Sequence, residues 1–87
     1  MTYKIFLHPK AAKTLTKTQE KARITKKLKQ LKTNPQKIGK HLKNSEYYRL
    51  RIGDYRAIYE IDQTKKQVTI LYIGHRKNVY DDFSQLL

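Results

Sequence analysis

Arginine, histidine and tyrosine side chains in the second half of the chain have the types and spacing for chemistry on an anionic group. They are Arg49, Arg51 and Arg56 (the arginine cluster), followed by His75, Arg76 and Tyr80. A guanidinium is a planar fork of N–H donors that matches the oxygens of a phosphate. Histidine titrates near neutral pH and can transfer a proton, while arginine can stabilise developing negative charge. These residues predict a phosphate site if the fold brings them together.

The elements around the arginine cluster predict a β-hairpin. Two stretches with period-two alternation flank the pair Gly53-Asp54, which is a two-residue turn signal. Such a turn places Arg51 opposite Arg56 and puts the whole arginine cluster on one face. The other face is apolar or aromatic and is expected to meet helices; it comprises Tyr48, Leu50, Ile52, Tyr55, Ala57, Tyr59 and Ile61.

The arginine cluster has two interpretations. Like charges directly opposite each other destabilise a sheet, so folding alone does not favour Arg51 facing Arg56. An anion site explains the pair. A solvated sheet face, partly compensated by Glu60, is the alternative.

The positions of His75 and Tyr80 depend on the strand that precedes them. If Ile61 lies opposite Val68, Arg56 faces Ile73, and His75 extends the edge that carries the arginines. A slip of one residue reverses this placement. His75 is otherwise an exposed or structural loop residue. Tyr80 is either a core residue of a final helix or a phenol that stacks on a base or donates a proton.

The remaining pattern predicts an α+β protein. A strand at 3–8 precedes a helix that begins at Pro9, and a second helix carries a buried stripe. A loop at 36–45 leads to the hairpin, and a third strand covers 67–73. The predicted order is β-α-α-β-β-β-α, a small antiparallel sheet with two N-terminal helices on one face and a short C-terminal helix. The stripe is Ile24, Leu28 and Leu31, and the last helix has Val79, Tyr80, Phe83 and Leu86.

Length and charge limit the possible functions. The 87 residues carry a net charge of +13 and no cysteine, which fits one domain over 1–87 and excludes disulfide scaffolds and thiolate metal sites. The longest apolar run near the N-terminus, 5–7, is too short for a membrane span, so we expect a cytoplasmic protein. Residues 1–44 hold 13 of the 20 basic residues and one acid. This surplus indicates a polyanion partner.

At the hairpin and the 73–80 segment, the sequence resembles the RelE/ParE toxin superfamily, the RelE side in particular. The segments that carry the resemblance are YRLRIGDYRAIYEI (48–61) and IGHRKNVY (73–80). The resemblance implies a toxin of a type II toxin–antitoxin system that cuts mRNA in the ribosomal A site. The substrate's own 2′-hydroxyl is then the nucleophile, and neither a metal nor another cofactor is needed.

The resemblance also implies roles for individual residues. Arg49 and Arg51 match two basic, phosphate-binding positions before the turn, and Arg56 matches the arginine that stabilises the transition state. Arg76 matches an acid or charge stabiliser at the leaving group, and Tyr80 a tyrosine that orients the substrate. Some members have lysine, a proposed base, where Arg51 stands. Arginine stays protonated, so His75 is the better candidate for the base.

The basic helices suggest docking on ribosomal RNA. As a group, Lys21, Lys26, Lys27 and Lys29 are expected to bind rRNA phosphates, with a strong dependence on salt. The resemblance further implies a small acidic antitoxin as partner. Two alternatives share these features: a ParE-like gyrase inhibitor, and an inactive homologue that only binds nucleic acid.

Overall fold

The computed structural model describes residues 2–78. The α+β class is confirmed, whereas the predicted C-terminal helix lies outside the described residues. The element order is β1 (Lys4–Leu7), α1 (Pro9–Lys17), α2 (Lys21–Lys29) with a 3₁₀ turn at Gln30–Lys32, α3 (Pro35–Ile38), β2 (Lys40–His41), β3 (Tyr47–Ile52), β4 (Tyr55–Asp62) and β5 (Gln67–His75).

The strands form one five-stranded sheet in the order β1-β5-β4-β3-β2. The β3–β4 and β4–β5 pairs are antiparallel, as predicted, and the unpredicted β2 pairs antiparallel with β3. The β1–β5 pair is parallel, with Lys4 opposite Gln67 and Leu7 opposite Ile70, so the sheet is mixed and not purely antiparallel. Parallel neighbours need a long connection. Here the helices and the hairpin together supply it.

The two N-terminal helices begin where local signals place them. Pro9 occupies the first turn of α1, and His8 caps it by accepting a hydrogen bond from the Lys10 N–H at 3.2 Å. Before α2, the Thr18 hydroxyl accepts from the Glu20 N–H at 3.1 Å. Thr16 donates to the Lys13 carbonyl within α1, and α2 itself begins after Glu20, which makes no side-chain capping bond.

The helices cover one face of the sheet and form the core with it. The helical side of this core is Ala11, Leu15, Ile24, Leu28 and Leu31, and the strand side is Leu50, Ile52, Ala57, Tyr59, Val68, Ile70 and Ile73. The stripe on α2 and the apolar face of the hairpin are therefore confirmed. We call this the helix face, and the opposite side of the sheet the open face.

Tyr59 is the largest fully buried side chain of the helix face. Its hydroxyl donates to the Pro35 carbonyl at 2.6 Å. Burial raises the pKa of Tyr59 to about 12, with a smaller contribution from Tyr48 and a partial offset from the Gly39 backbone hydrogen bond. A Cβ on Gly39 would collide with the Tyr59 hydroxyl, so a glycine is needed at this close approach.

The predicted loop at 36–45 contains two short elements. Pro35 starts α3, a single helical turn, and β2 then pairs Lys40 with Arg49 and His41 with Tyr48. These elements have four and two residues. They are too short to show a periodicity in the sequence, which is why the segment resembles a loop.

Candidate nucleic-acid interface

The hairpin has the predicted register, which brings the arginine cluster together. Ile52 lies opposite Tyr55 and Arg51 lies opposite Arg56. Arg49 is opposite Ile58 and therefore on the same, open face. Arg51 is exposed, and the other two arginines are half-buried. The open face thus carries arginines of β3 and β4 at neighbouring positions across the hairpin.

The turn itself orients Arg56. Gly53 has a φ of 59°, the left-handed conformation that suits the first central residue of a type II′ hairpin turn. One terminal nitrogen of Arg56 donates to the Gly53 carbonyl and to the Tyr55 carbonyl, each at 2.8 Å. These bonds hold the guanidinium against the turn, so that its position does not depend on a bound ligand.

Arg76 is tied to the same turn from the end of β5. Its backbone N–H donates to the Asp54 carbonyl at 2.7 Å. Its side chain lies 3.8 Å from the Asp54 carboxylate, with both side chains more than half exposed. An ion pair this exposed contributes little to stability. The backbone bond is therefore the contact that places Arg76 beside the turn, close to Arg51 and Arg56.

The predicted position of His75 is wrong, because β5 carries a bulge. Ile61 does lie opposite Val68, but the register shifts between Ile58 and Tyr59, so that Arg56 faces Gly74 and not Ile73. The extra residue of a bulge moves every later side chain to the other face. His75 consequently lies opposite Tyr55, whose side chain is on the helix face. The centroids of the two rings are 6.1 Å apart.

The His75 ring also has an assigned hydrogen-bond direction. Its Nδ1 accepts from the Lys77 N–H at 3.2 Å. In a neutral imidazole the proton then resides on Nε2, which is a donor. In this tautomer Nε2 already carries a proton, so it can donate a hydrogen bond but cannot take up a proton. Tyr80, the last of the predicted site residues, lies outside the described residues.

An aromatic and apolar patch adjoins the arginine cluster on the open face. Ile58 is fully buried there, and Leu42, Tyr47, Leu71 and Tyr72 pack around it, half-buried. Gly74, opposite Arg56, leaves room for the Tyr72 ring, since a Cβ there would come within 2.7 Å of it. The sequence analysis missed Tyr72, because its face depends on the bulge.

Arg23 is a second residue that sequence reasoning missed. Its guanidinium carbon and both terminal nitrogens lie 2.9 Å from where a Cβ on Gly53 would stand. The group therefore packs against the turn, while Arg56 binds the Gly53 carbonyl. Arg23 also pairs with Glu20 at 3.7 Å. Its basic helical position offers no signal for this long-range contact.

The four lysines assigned to docking lie at three different places. Lys26 and Lys27 line a groove between α2 and the hairpin turn. Lys29 borders a different, largely apolar groove between β1 and the helices. Lys21, at the start of α2, is exposed and lines neither groove.

Acidic residues gather at the other end of the hairpin. Glu46, Glu60 and Asp62 line one hollow there. Glu60 lies opposite Tyr47 and Thr69, four residues along β4 from Arg56. That separation is about 13 Å along a strand, more than the Debye length at physiological salt. Glu60 therefore does not compensate the arginine pair at the turn.

Two further observations concern the described part of the chain. No helix in residues 2–78 is long and apolar enough to cross a membrane. Nor do three or more of its histidine and acidic side chains come together where a metal ion could be held.

A mixed five-stranded sheet with helices on one face is an architecture that this chain shares with solved toxin structures. A family model described as the ParE toxin of the type II toxin–antitoxin system parDE matches residues 5–80. The chain belongs to this toxin family. The individual relatives that it resembles are RelE toxins.

The toxin RelE of Mycobacterium tuberculosis (strain ATCC 25618 / H37Rv) is 38% identical over 52 residues, which are 58% of this chain and 54% of the relative. The alignment thus spans about half the length of that curated protein.

The similar solved structures match a larger share of this chain. The RelBE2 toxin–antitoxin complex from M. tuberculosis matches with a TM-score of 0.80 and 27% identity, covering 87% of this chain and 93% of that one. The archaeal RelE–RelB complex from Pyrococcus horikoshii OT3 matches with a TM-score of 0.72 and 27% identity, covering 87% and 97%. A doubly substituted free RelE from E. coli covers 100% of both chains with a TM-score of 0.79. At 23% identity, it supports the fold alone.

Proposed function

We propose that this chain is a ribosome-dependent endoribonuclease that cleaves mRNA in the ribosomal A site, in the manner of a RelE-like mRNA interferase. One observation carries the proposal: Arg51 and Arg56 lie directly opposite each other on a face that the described helices leave open. Such a pair is unfavourable for folding and favourable for a phosphate. A protein with this substrate acts in the cytoplasm.

In the proposed reaction, the 2′-hydroxyl of the substrate attacks the adjacent phosphorus and the bond to the 5′-oxygen breaks. The products are a 2′,3′-cyclic phosphate and a 5′-hydroxyl. The phosphate gains negative charge in the transition state, and preorganised donors aimed at that charge accelerate such reactions. Arg56, held by the Gly53 and Tyr55 carbonyls, is our choice for this role. Arg49 and Arg51 would bind the substrate phosphates.

The end of β5 would supply hydrogen-bond donors to the reaction. Arg76 would stabilise the leaving 5′-oxygen, because its backbone bond to Asp54 places it beside the turn. His75 lies on the helix-face side and accepts at Nδ1 from Lys77. We therefore assign the His75 ring a hydrogen-bond donor role through Nε2–H, in place of the base suggested by the sequence. Water would accept the 2′-hydroxyl proton and supply the proton that the leaving 5′-oxygen takes up. Tyr80 keeps its proposed role of orienting the substrate.

The test is cleavage of a translated mRNA by purified protein and ribosomes. We expect Arg56→Ala to lower the cleavage rate by about 10²- to 10³-fold, the usual effect of removing one transition-state donor. Lys65→Ala is the matched control, since it removes one exposed positive charge in the β4–β5 loop, beyond the acidic end of the hairpin. Unchanged cleavage in both Arg56→Ala and His75→Ala would overturn the site assignment.

A gyrase inhibitor is the competing function, because the matching family model carries the ParE name. The two functions can be distinguished with the same purified protein. Inhibition of gyrase supercoiling without RNA cleavage would replace the interferase proposal. Nucleic-acid binding with neither activity would instead identify an inactive homologue.

We also propose a cognate acidic antitoxin as partner. The similar M. tuberculosis structure is a toxin–antitoxin complex, and the P. horikoshii structure is a RelE–RelB complex. In this chain, β1 is at the sheet edge and exposes Phe6 and Leu7, by 45% and 39%. The apolar groove beside β1 is bordered by Lys29 and Lys32. An acidic, amphipathic segment fits this combination. Leu7→Lys should weaken antitoxin binding and leave cleavage unchanged.

A further inference from the structure

The groove between α2 and the hairpin turn is built almost entirely from cations and backbone. It has a volume of about 300 Å³. Its lining is Arg23, Lys26, Lys27 and Gln30 on the helical side, and Arg51, Ile52 and Gly53 on the hairpin side. Four of these seven residues are positively charged and none is negative.

Folding gives no reason for this concentration of charge. Glu20 is not part of the lining but pairs with Arg23 at 3.7 Å in a half-exposed contact. Exposed pairs of this kind are strongly screened and contribute little. Four cations around one small volume repel each other. A bound anion would remove that repulsion and release counterions.

The groove is continuous with the arginine cluster through one residue. Arg51 lies opposite Arg56 and also lines the groove. Beyond Arg49, β3 has no strand partner on its outer side in the described part of the chain, because β2 pairs with Tyr48 and Arg49 alone. The groove therefore opens along a free strand edge, and a chain-like ligand can pass from the open face around the turn towards α2.

Arg23 fixes the other wall of the groove. Its guanidinium packs against Gly53, which has no side chain to displace it. This contact joins α2 to the turn that also holds Arg56. The positions of the groove and of the arginine cluster are thus set by the same turn.

We propose that this groove binds a second phosphodiester of the single-stranded RNA whose scissile phosphate lies at the arginine cluster. The proposal rests on the proposed ribonuclease function. It also assigns different roles to the lysines of α2. Lys26 and Lys27 contact the substrate strand together with Arg23 and Arg51. Lys21 and Lys29 do not line the groove and remain available for docking elsewhere.

The test compares two double variants that remove equal charge from the same helix. The groove variant, Lys26→Gln/Lys27→Gln, removes two positive charges from the groove lining. The matched control is Lys21→Gln/Lys29→Gln. The ligand is a short single-stranded RNA with 2′-O-methyl groups at every position, which blocks attack by the 2′-oxygen. Affinity for the purified full chain is measured over a range of salt concentrations, without ribosomes.

We expect the groove variant to reduce the slope of log K against log salt by about 0.7, since each phosphate contact with a single strand contributes about 0.7 and the groove holds one phosphate. The control variant should leave that slope close to the wild-type value. Equal changes in both variants would overturn the proposal, because they would mean that only overall charge matters. A melting curve confirms that both variants are folded.

This experiment separates the groove from the ribonuclease proposal. If wild-type protein fails to cleave mRNA on the ribosome, the proposed activity is wrong whatever the slopes are. If cleavage is normal and the two variants have equal slopes, the activity stands and the groove assignment fails.

Discussion

The helix face and the open face are made from alternate residues of the same strands, yet they differ in what they contribute. On β3, Leu50 is 2% exposed in the core, while its neighbours Arg49 and Arg51 carry charge on the other side. The helix face gains free energy from burial. The open face places like charges opposite each other and so reduces the free energy of unfolding. Period-two alternation lets one hairpin both stabilise the fold and hold an anion site.

This contrast means that stability and activity should respond to different residues of one strand. A change on the helix face should alter the free energy of unfolding and leave the activity of the folded fraction intact. A change on the open face should do the reverse. The substitutions below test this separation at neighbouring positions.

The largest effect is expected from Leu50→Ala. Deleting a buried leucine side chain from a packed core leaves a cavity and should lower the free energy of unfolding by about 3 kcal/mol. Urea unfolding measures this loss. Cleavage per folded molecule should remain near the wild-type value. A proportional loss of cleavage in the folded fraction would show that the two faces are coupled.

Tyr59→Phe tests the polar contact within the helix face. The change leaves the buried Pro35 carbonyl without its 2.6 Å hydrogen bond and should cost about 2 kcal/mol. Because burial raises the pKa of Tyr59 to about 12 from 10, the tyrosine contributes stability that is complete below pH 10 and is lost as the pH rises through 12. Urea unfolding of both proteins across this range should show the difference shrinking at high pH. A constant difference would contradict the buried, protonated phenol.

Gly53→Ala affects the boundary between the faces. Alanine at a φ of 59° is strained, and its Cβ would meet the Arg23 guanidinium at 2.9 Å. We expect a loss of about 1.5 kcal/mol, together with slower cleavage, because Arg56 is anchored on the Gly53 carbonyl. Thermal melting and the cleavage assay give the two readouts. Full activity in this variant would show that the turn does not position Arg56.

The smallest effect has the opposite sign. Arg51→Thr removes one of two like charges that lie directly opposite each other and should raise the free energy of unfolding by about 0.5 kcal/mol. Arg51→Lys keeps the charge and should leave stability unchanged. Cleavage should fall in the threonine variant. Destabilisation by threonine, measured by urea unfolding, would show that the open face supports the fold through Arg51.

The hairpin could be predicted from the sequence because its signals are local. Gly53-Asp54 sets the register of its neighbours, and alternation then assigns Arg51 and Arg56 to the same face. The family relationship was also predictable, since the hairpin and the 73–80 segment carry it.

The placement of His75 could not be predicted in the same way. The bulge leaves Leu71 without a partner in the β4–β5 register, within a run of apolar residues from Ile70 to Ile73. An apolar run shows no alternation, so a one-residue shift has no signal in it. Contacts distant in sequence, such as Arg23 on Gly53 and β1 beside β5, also have no local pattern that predicts them.

The pairing of β1 with β5 has a consequence for the order in which the protein folds. Lys4 meets Gln67, so the first strand gains its neighbour in the described sheet only after most of the chain has been synthesised. Contacts so far apart in sequence slow folding and are made late. Until then, β1 and the helices that follow it have only an incomplete sheet to pack against. The nascent chain therefore acquires the native surface around β1 only once β5 has been synthesised, and a partner that recognises the surface must wait for that strand.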